Sequence, residues 1–473
     1  MQINTWIATI MIFLSAPLAH YRVTQAADFT VSTVTEFQNA LDLAQSNGQS
    51  DTIRVAAGNY SLSTPLRYSC NDGDGQLTIT AVNPSTPPVL DGEAATRLLY
   101  LDNDADNDQT GDSQADITIR NLILHNGHYA SYGGGLLLRT GEADIVISSC
   151  VFSDNRAEYT GGGAYVHSEN GSLSIHNNTF LNNTGAGGGG IFAWSGTGSV
   201  ELTINQFDNN RAEDFVPPCG GGAKVYSESG FVTLNRNTFF NNTASYGGGV
   251  CSSTNSGTVK LTNNIFSSNN ASYGGGAAGY PGSGALYFTN NSFWQNTASY
   301  KGGGVHVKVN DNSGRVYFRN NIIWDNTVYG GNSGGDDLYA DLDGDDDGTG
   351  AYLALRNNDL GINSNFDTAW SEDFTVENSD HYNHWNNITL DPGITATGHI
   401  SRTSPAIDAG VCGLHKGNHY LRFAPYDDMD GDKRPGDEQV YGCDIGADEY
   451  KPFPWPMFLP AIVGNSWGWV RTQ

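Results

Sequence analysis

Basic side chains are scarce in this chain: 23 Lys and Arg stand against 50 Asp and Glu, a formal net charge of -27. Such a field repels nucleic acid and anionic lipid unless cations are concentrated locally, so nucleic-acid binding is set aside. Charge of either sign is thin, and at 15% charged residues the chain lacks the solvated faces that long surface helices need. There are six cysteines but no Cys-x-x-Cys spacing, which removes support for a zinc ribbon or a thioredoxin-like centre. Behind the N-terminal stretch no apolar run is long enough to span a bilayer, Phe458 to Val463 being far too short. A mature chain without a transmembrane segment is expected.

What the chain has instead is glycine, 59 residues of it, with 23 Tyr, 20 Phe and abundant Asn, Ser and Thr. This is the composition of many short strands joined by turns. Trp6 to Ala19 is apolar and small residues follow at Ala26 and Ala27, so residues 1–26 read as a secretory signal, although no Lys or Arg precedes the apolar run. Cysteines suit export. Cys412 and Cys443 share the C-terminal segment and are expected to pair, while the connectivity of Cys70, Cys150, Cys219 and Cys251 stays open.

Self-similarity organises the rest. Glycine triplets begin at Gly133, Gly161, Gly188, Gly220, Gly247, Gly274 and Gly302, and a Phe-x-x-Asn unit follows each of the first six at one fixed offset, from Gly133 to Phe152 through Gly274 to Phe293. The seventh copy, Gly302 to Ile323, is two residues longer. A period of about 27–28 residues with strand-like pieces of about five residues matches one solenoid coil of three short strands. The fold expected is therefore all-β, a right-handed parallel β-helix in which each Phe lies over the Phe of the coil below. Glycine then serves a tight bend and Asn a turn whose amide bonds to the next coil.

Thr35-x-x-Gln38 reads as a capping box, with Phe37, Ala40, Leu41 and Ala44 on one helical face and Asn47-Gly48 as the stop, so a short helix within 33–48 is expected to cap the first coil. Regular coils are expected over 115–330, irregular coils and a cap over 331–450, and a Pro- and aromatic-rich tail over 451–473.

The GGGA and FxxN units resemble the repeats of polymorphic outer membrane proteins, and the whole resembles secreted right-handed parallel β-helix proteins. "SPAIDAG" (Ser404 to Gly410) and "DDMDGDKRPGDEQVYGCDIGADEY" (Asp427 to Tyr450) resemble the closing segment of bacterial β-helix proteins with a choice-of-anchor Q domain. Together these cover roughly Ala27 to Tyr450. The resemblance implies an extracellular or cell-surface protein of bacterial type. It is specific for fold rather than activity, because the fold hosts lyases, hydrolases, epimerases and adhesins. The short stretch after Tyr450 is expected not to hold the membrane β-barrel of autotransported members.

Strand alternation sorts the residues after each triplet. First and third positions, such as Leu136/Leu138, Ala164/Val166 and Ile191/Ala193, are small or aliphatic and are expected to face in. Second and fourth positions are Leu137/Arg139, Tyr165/His167, Phe192/Trp194, Lys224/Tyr226, Cys251/Ser253, Ala278/Tyr280 and His306/Lys308, and are expected to face out. Stacked, they form an aromatic and basic stripe suited to an extended, acidic polysaccharide. Phe192, Trp194, Tyr280, His306 and Lys308 are the expected carbohydrate contacts.

Three function classes fit: a glycan-binding or adhesion protein, a polysaccharide lyase, and a bare structural spacer. For a lyase, His167 or Lys224 supplies the base, Tyr165 or Tyr226 the acid, and Arg139 or Lys224 the neutralising cation. Glu169 and Glu228 are the carboxylate pair a hydrolase would need. The insertion Arg211 to Cys219 enlarges one turn beside the stripe, where specificity is expected to sit. Calcium is the expected cofactor, held by Asp343, Asp345 and Asp347, an EF-hand opening whose closing position is Ala354 instead of Glu. Asp102, Asp104, Asp106 and Asp108, and Asp428, Asp430 and Asp432, repeat the alternate-Asp theme. The oligomeric state stays open.

Overall fold

The computed structural model describes residues 27–69, 75–103, 115–213, 218–309, 313–329, 335–342, 351–361, 374–377, 382–395, 397–416, 419–422, 424–434, 442–450, 460–463 and 466–469. The residues read as a signal and the Asp343, Asp345, Asp347 cluster lie outside them, as do Asp104, Asp106, Asp108 and Cys70.

The chain winds as a right-handed parallel β-solenoid of about 11 turns with one short helix near its start. Each turn contributes a strand to three sheets in succession. The first sheet runs through 13 strands from Ala27–Val31 to Tyr382–Trp385. The second has 11 short strands, from Asn59–Ser61 to Asp359–Leu360, and carries the Phe column. The third also has 11, from Leu66–Ser69 to Phe374–Glu377, and includes the strands that follow the glycine triplets.

Two kinds of ladder hold neighbouring turns in register. Phe152, Phe180, Phe207, Phe239, Phe266 and Phe293 stack with ring centroids 4.5–4.8 Å apart and planes within 6°. Each such ring leaves water completely, worth roughly 1.5–3 kcal/mol. Beside them the Asn of each Phe-x-x-Asn unit donates its side-chain N–H to the Asn oxygen one turn on, from Asn155 through Asn183, Asn210, Asn242, Asn269 and Asn296 to Asn326. Asp337 closes this column by accepting both the backbone and the amide N–H of Asn326.

A second Asn column, one the Phe-x-x-Asn pattern does not announce, lies two residues before the Phe column: Asn178, Asn205, Asn237, Asn264, Asn291, Asn321, Asn358 and Asn387. The residue before each ladder Asn takes a positive φ, as at Ile204, Arg236, Asn182 and Asn209, which turns the chain sharply from one sheet to the next. The glycine triplets make the third bend. Gly188 sits at φ +59, and a Cβ on Gly189 would lie 2.5 Å from both Arg211 O and Gly221 O.

The helix, Val34–Ala44, buries Phe37, Ala40, Leu41 and Ala44 against the first coils. Its cap is not at Thr35: the first strand ends at Val31, so the chain enters through Ser32, and Thr33 Oγ1 accepts the Glu36 N–H while the Glu36 carboxylate accepts the Ser32 N–H. Gln38 is released for another task. Its amide both donates to Arg67 O and accepts from Arg67 N, satisfying the outer edge of the third sheet.

The C-terminal segment does not continue as rungs. Its described residues between Ile394 and Tyr450 double back along the flank of the solenoid, as a strap over the corner between the first two sheets. Residues in the left-handed corner conformation reach out to it: Arg236 Nε donates to Met429 O (2.9 Å), Asn263 to Asp427 O (2.6 Å), Asn290 to Asp444 O (3.0 Å) and Asn320 to Val411 O (3.0 Å). Ile400, Ala406 and Ile445 pack on Ile322 beneath it. Inside the strap Cys412 is bonded to Cys443, and Arg434, wholly buried, pairs with Glu449 at 2.6 Å. Further along, Pro460–Val463 and Ser466–Trp469 pair as an antiparallel hairpin within the stretch expected to be a plain tail.

Candidate functional site

The stripe positions are brought together as register requires: Tyr165 pairs with Phe192 and Phe192 with Lys224, while His167 pairs with Trp194 and Trp194 with Tyr226. The same columns extend past the triplet-bearing coils. Arg67, Tyr100 and Asp102 precede them, and Tyr339, Asp341 and Glu377 follow. Sequence reasoning missed these six because their strands lack the glycine triplet used to find the columns.

Many of the cations are already matched. Arg139 Nη2 meets Asp102 Oδ2 at 2.5 Å, and Tyr100 donates to the same oxygen at 2.6 Å. Lys308 pairs with Asp341 at 3.2 Å, and Lys301, which lies over the Tyr339 ring, pairs with Glu377 at 3.1 Å. Arg139 and Lys308 are therefore not open anchors for an anionic ligand. Asp102, read as a calcium candidate, serves as this counter-ion instead.

A second aromatic column, unrecognised in the sequence, stands just before the glycine triplets and leans over the stripe. Tyr246, Tyr273 and Tyr300 stack in turn at 4.9 and 5.4 Å. Tyr246 lies against Tyr280, and Tyr273 against His306, which also stacks on Tyr339 at 5.6 Å. The signal was available as Ser-Tyr before the triplets at Gly247 and Gly274. Its consequence bears on three positions expected to face outward. His306 is only 4% exposed, burial pushes its imidazole down to about 3, and it is a neutral packing residue. Ala278 is wholly buried, and Tyr280 is largely covered, with burial pushing its hydroxyl well above the ordinary range.

Cys251, another outward position, is consumed by a disulfide to Cys219, the last residue of the inserted turn. Leu137 is buried too. The open part of the face thus narrows to the coils of Tyr165, Phe192 and Lys224. Here the leaning column lapses, since Thr160, Gly187 and Cys219 occupy its places. Tyr132 and Tyr159 stand exposed on the N-terminal side, 5.5 Å apart and tilted by 47°. Arg97 fixes that turn by donating to Gly133 O at 2.8 Å and to Tyr132 O, while its guanidinium lies 3.8 Å from the Tyr129 ring centre.

Within this opening Tyr165 stacks on Phe192 at 5.1 Å, and Lys224 Nζ lies 5.5 Å from the Phe192 centroid on the next rung. Lys224 makes no ion pair with any described residue, and burial pushes its ammonium below the ordinary lysine range. His167 lies 4.0 Å from Trp194, ring to ring, and burial pushes it down to about 4, so it is neutral at pH 7. Glu169 stands 3.2 Å from His167 Nε2. Glu228 occupies the equivalent turn two rungs on, with Gly196 between them. At the strand spacing that places them about 9–10 Å apart, at or beyond the range used by paired catalytic carboxylates.

Stacked rings give their faces to one another, so the ladder offers edges and hydroxyls along most of its length. Tilted rings break the stack at Tyr132 and Tyr159, both exposed, whereas Trp194 lies between a tilted His167 and a stacked Tyr226. As for calcium, Asp428 is wholly buried and spends both oxygens on backbone N–H groups, those of Asp430, Asp432 and Glu449. It shapes a turn. Of the Asp428, Asp430, Asp432 series, Asp430 is the member whose carboxylate lies near other ligand-type side chains, those of His399 and Asp448.

Among the described residues no helix is long and apolar enough to cross a membrane. No curated protein matches the chain. Among solved structures, the crystal structure of pectate lyase Pel9A aligns over 91% of this chain and 98% of that one, at 13% identity and a TM-score of 0.43. The profile of a family described as a right handed beta helix region matches residues 110–323, the stretch that holds the glycine triplets, and so agrees with a β-helix repeat protein.

Proposed function

We propose that this chain is an exported protein that binds an extended polysaccharide along the third sheet, over Tyr132, Tyr159, Tyr165, Phe192, Trp194 and Tyr226. The observation that carries the reading is Lys224: a half-buried cation on an aromatic shelf, without a carboxylate partner among the described residues, at the one place where the leaning tyrosines lapse. A desolvated ammonium costs free energy unless a ligand carboxylate or sulfate matches it, and flanking rings supply apolar faces for sugar C–H groups. An acidic glycan meets both needs. Export accords with two disulfides in the fold.

The test is glycan-array and affinity-electrophoresis binding by the full chain, by Trp194→Ala/Tyr226→Ala and by Lys224→Ala. At least about tenfold weaker binding in each, with unchanged melting, supports the proposal. Equal affinity of all three for every glycan leaves a structural spacer.

A lyase is the second reading, favoured by the same lowered lysine. Lys224 takes the proton α to a uronate carboxyl, the electron pair forms a C=C bond, the glycosidic C–O bond breaks, and Tyr226 protonates the leaving oxygen. With Arg139 committed to Asp102, the neutralising cation of this scheme is missing from the position expected for it. New ultraviolet absorbance with polyuronates, lost in Lys224→Ala, supports this reading; binding without product returns the chain to the adhesion class.

A further inference from the structure

The strap holds a cluster that the binding face does not use. His399 Nδ1 lies 3.3 Å from Asp448 Oδ1 and 3.5 Å from Asp430 Oδ2, and all three atoms fall within 4.8 Å of one another. We propose that His399, Asp430 and Asp448 form a binding site for a small divalent transition cation of the zinc class, which ties the strap closed on the solenoid.

Geometry and donor type both point there. A four-coordinate cation with bonds of about 2.0–2.2 Å to nitrogen and carboxylate oxygen sets its ligand atoms about 3.3–3.6 Å apart, the two separations seen around His399. One imidazole with two carboxylates suits zinc or manganese better than calcium, which takes six to eight oxygen ligands. His399 Nδ1 reaches both carboxylates, at 3.3 and 3.5 Å, each longer than the usual charge-assisted hydrogen bond. Asp448 is 7% exposed; its Oδ2 accepts the Ile400 N–H at 3.1 Å, which leaves Oδ1 turned toward the other two groups. A buried carboxylate oxygen so placed calls for a cation.

The three donors come from three stretches of the strap, each held by independent contacts. His399 follows a turn in which Thr395 N–H donates to His399 O and Thr395 Oγ1 accepts the His399 N–H. Asp430 projects from the turn built around Asp428, pinned to the solenoid through Arg236 and Met429 O. Asp448 follows Ala447, whose N–H donates to Ser292 Oγ. Ligation would join the three segments at one point, one residue from Glu449 of the Arg434–Glu449 pair. Because only the folded strap gathers the donors, binding would add to stability by linkage.

The experiment uses the full chain, stripped with chelator and titrated with zinc or with cobalt as a spectroscopic probe. Saturable binding of one equivalent, an intensified visible cobalt spectrum and a raised melting temperature are expected. In His399→Gln and Asp430→Asn these should weaken at least about tenfold, with the metal-free melting of Asp430→Asn unchanged because that side chain is exposed. Metal bound equally by wild type and both variants would place it elsewhere and overturn the site. No saturable binding in wild type would overturn it too, leaving a histidine–aspartate ion pair only.

Discussion

Asn210 Oδ1 accepts two N–H groups of Asn183, the side-chain amide at 2.9 Å and the backbone at 3.0 Å, while the Asn210 amide donates to Phe180 O and Asn242 Oδ1. One buried side chain thereby satisfies polar groups of the coils on both sides of its own. Asn210→Leu keeps the branched outline with a somewhat larger side chain and strands the Asn183 N–H groups and Phe180 O in a dry interior, at about 1–3 kcal/mol each. A loss of about 3 kcal/mol or more is expected in chemical denaturation. A loss below about 1 kcal/mol would show that the column does not hold the coils in register.

The Phe and Asn columns were legible because each partner sits one period away at a fixed offset, so a repeat in sequence becomes a contact in space. The second Asn column was equally periodic at Asn178, Asn205 and Asn237, yet went unread beside the louder Phe signal. Which stripe residues face outward followed from strand alternation. Which stay open did not, since the cover over His306 and Tyr280 comes from Tyr273 and Tyr246, whose side chains lean across from a neighbouring turn. The strap was beyond periodicity altogether: Asn263 meets Asp427, and no repeat relates them.

Glycine within a triplet is required by space rather than by composition. A Cβ on Gly189 meets two backbone oxygens at 2.5 Å, and backbone on both sides is fixed by the sheet, whereas one on Gly187 meets a Thr160 methyl at 3.3 Å and nothing nearer. Gly189→Ala is expected to cost about 3 kcal/mol or more and Gly187→Ala less than about 1 kcal/mol. Thermal melts of the two variants side by side check this; equal melting would contradict the close approach of the coils.

Acid should destabilise the chain through its buried imidazoles. His306 is pushed down to about 3 and His167 to about 4, both below the unfolded value of about 6.5. The unfolded chain therefore binds the extra protons first. Stability from these groups is full above pH ~6.5 and is lost as pH falls through the window toward 4 and 3. His306→Phe keeps the aromatic packing against Tyr339 and removes the buried Nδ1, which lacks a partner. Its melting temperature should fall less than that of wild type between pH 7 and pH 4; parallel curves would mean that His306 is already solvated.

The Cys219–Cys251 bond joins the end of the inserted turn to a stripe position one rung from Lys224, across 32 residues of sequence. Loop entropy alone assigns such a link about 3–4 kcal/mol. Replacing both cysteines by serine should therefore lower stability by an amount of that order, measurable in denaturant without reductant. The same change bears on the binding face, because the tether fixes where the insertion leaves the sheet beside Lys224. If the insertion shapes the anionic subsite, glycan affinity should fall in the double serine variant even at temperatures where it stays folded. If affinity survives while stability drops, the bond serves the scaffold and the shelf of Tyr165 and Phe192 binds the sugar without it.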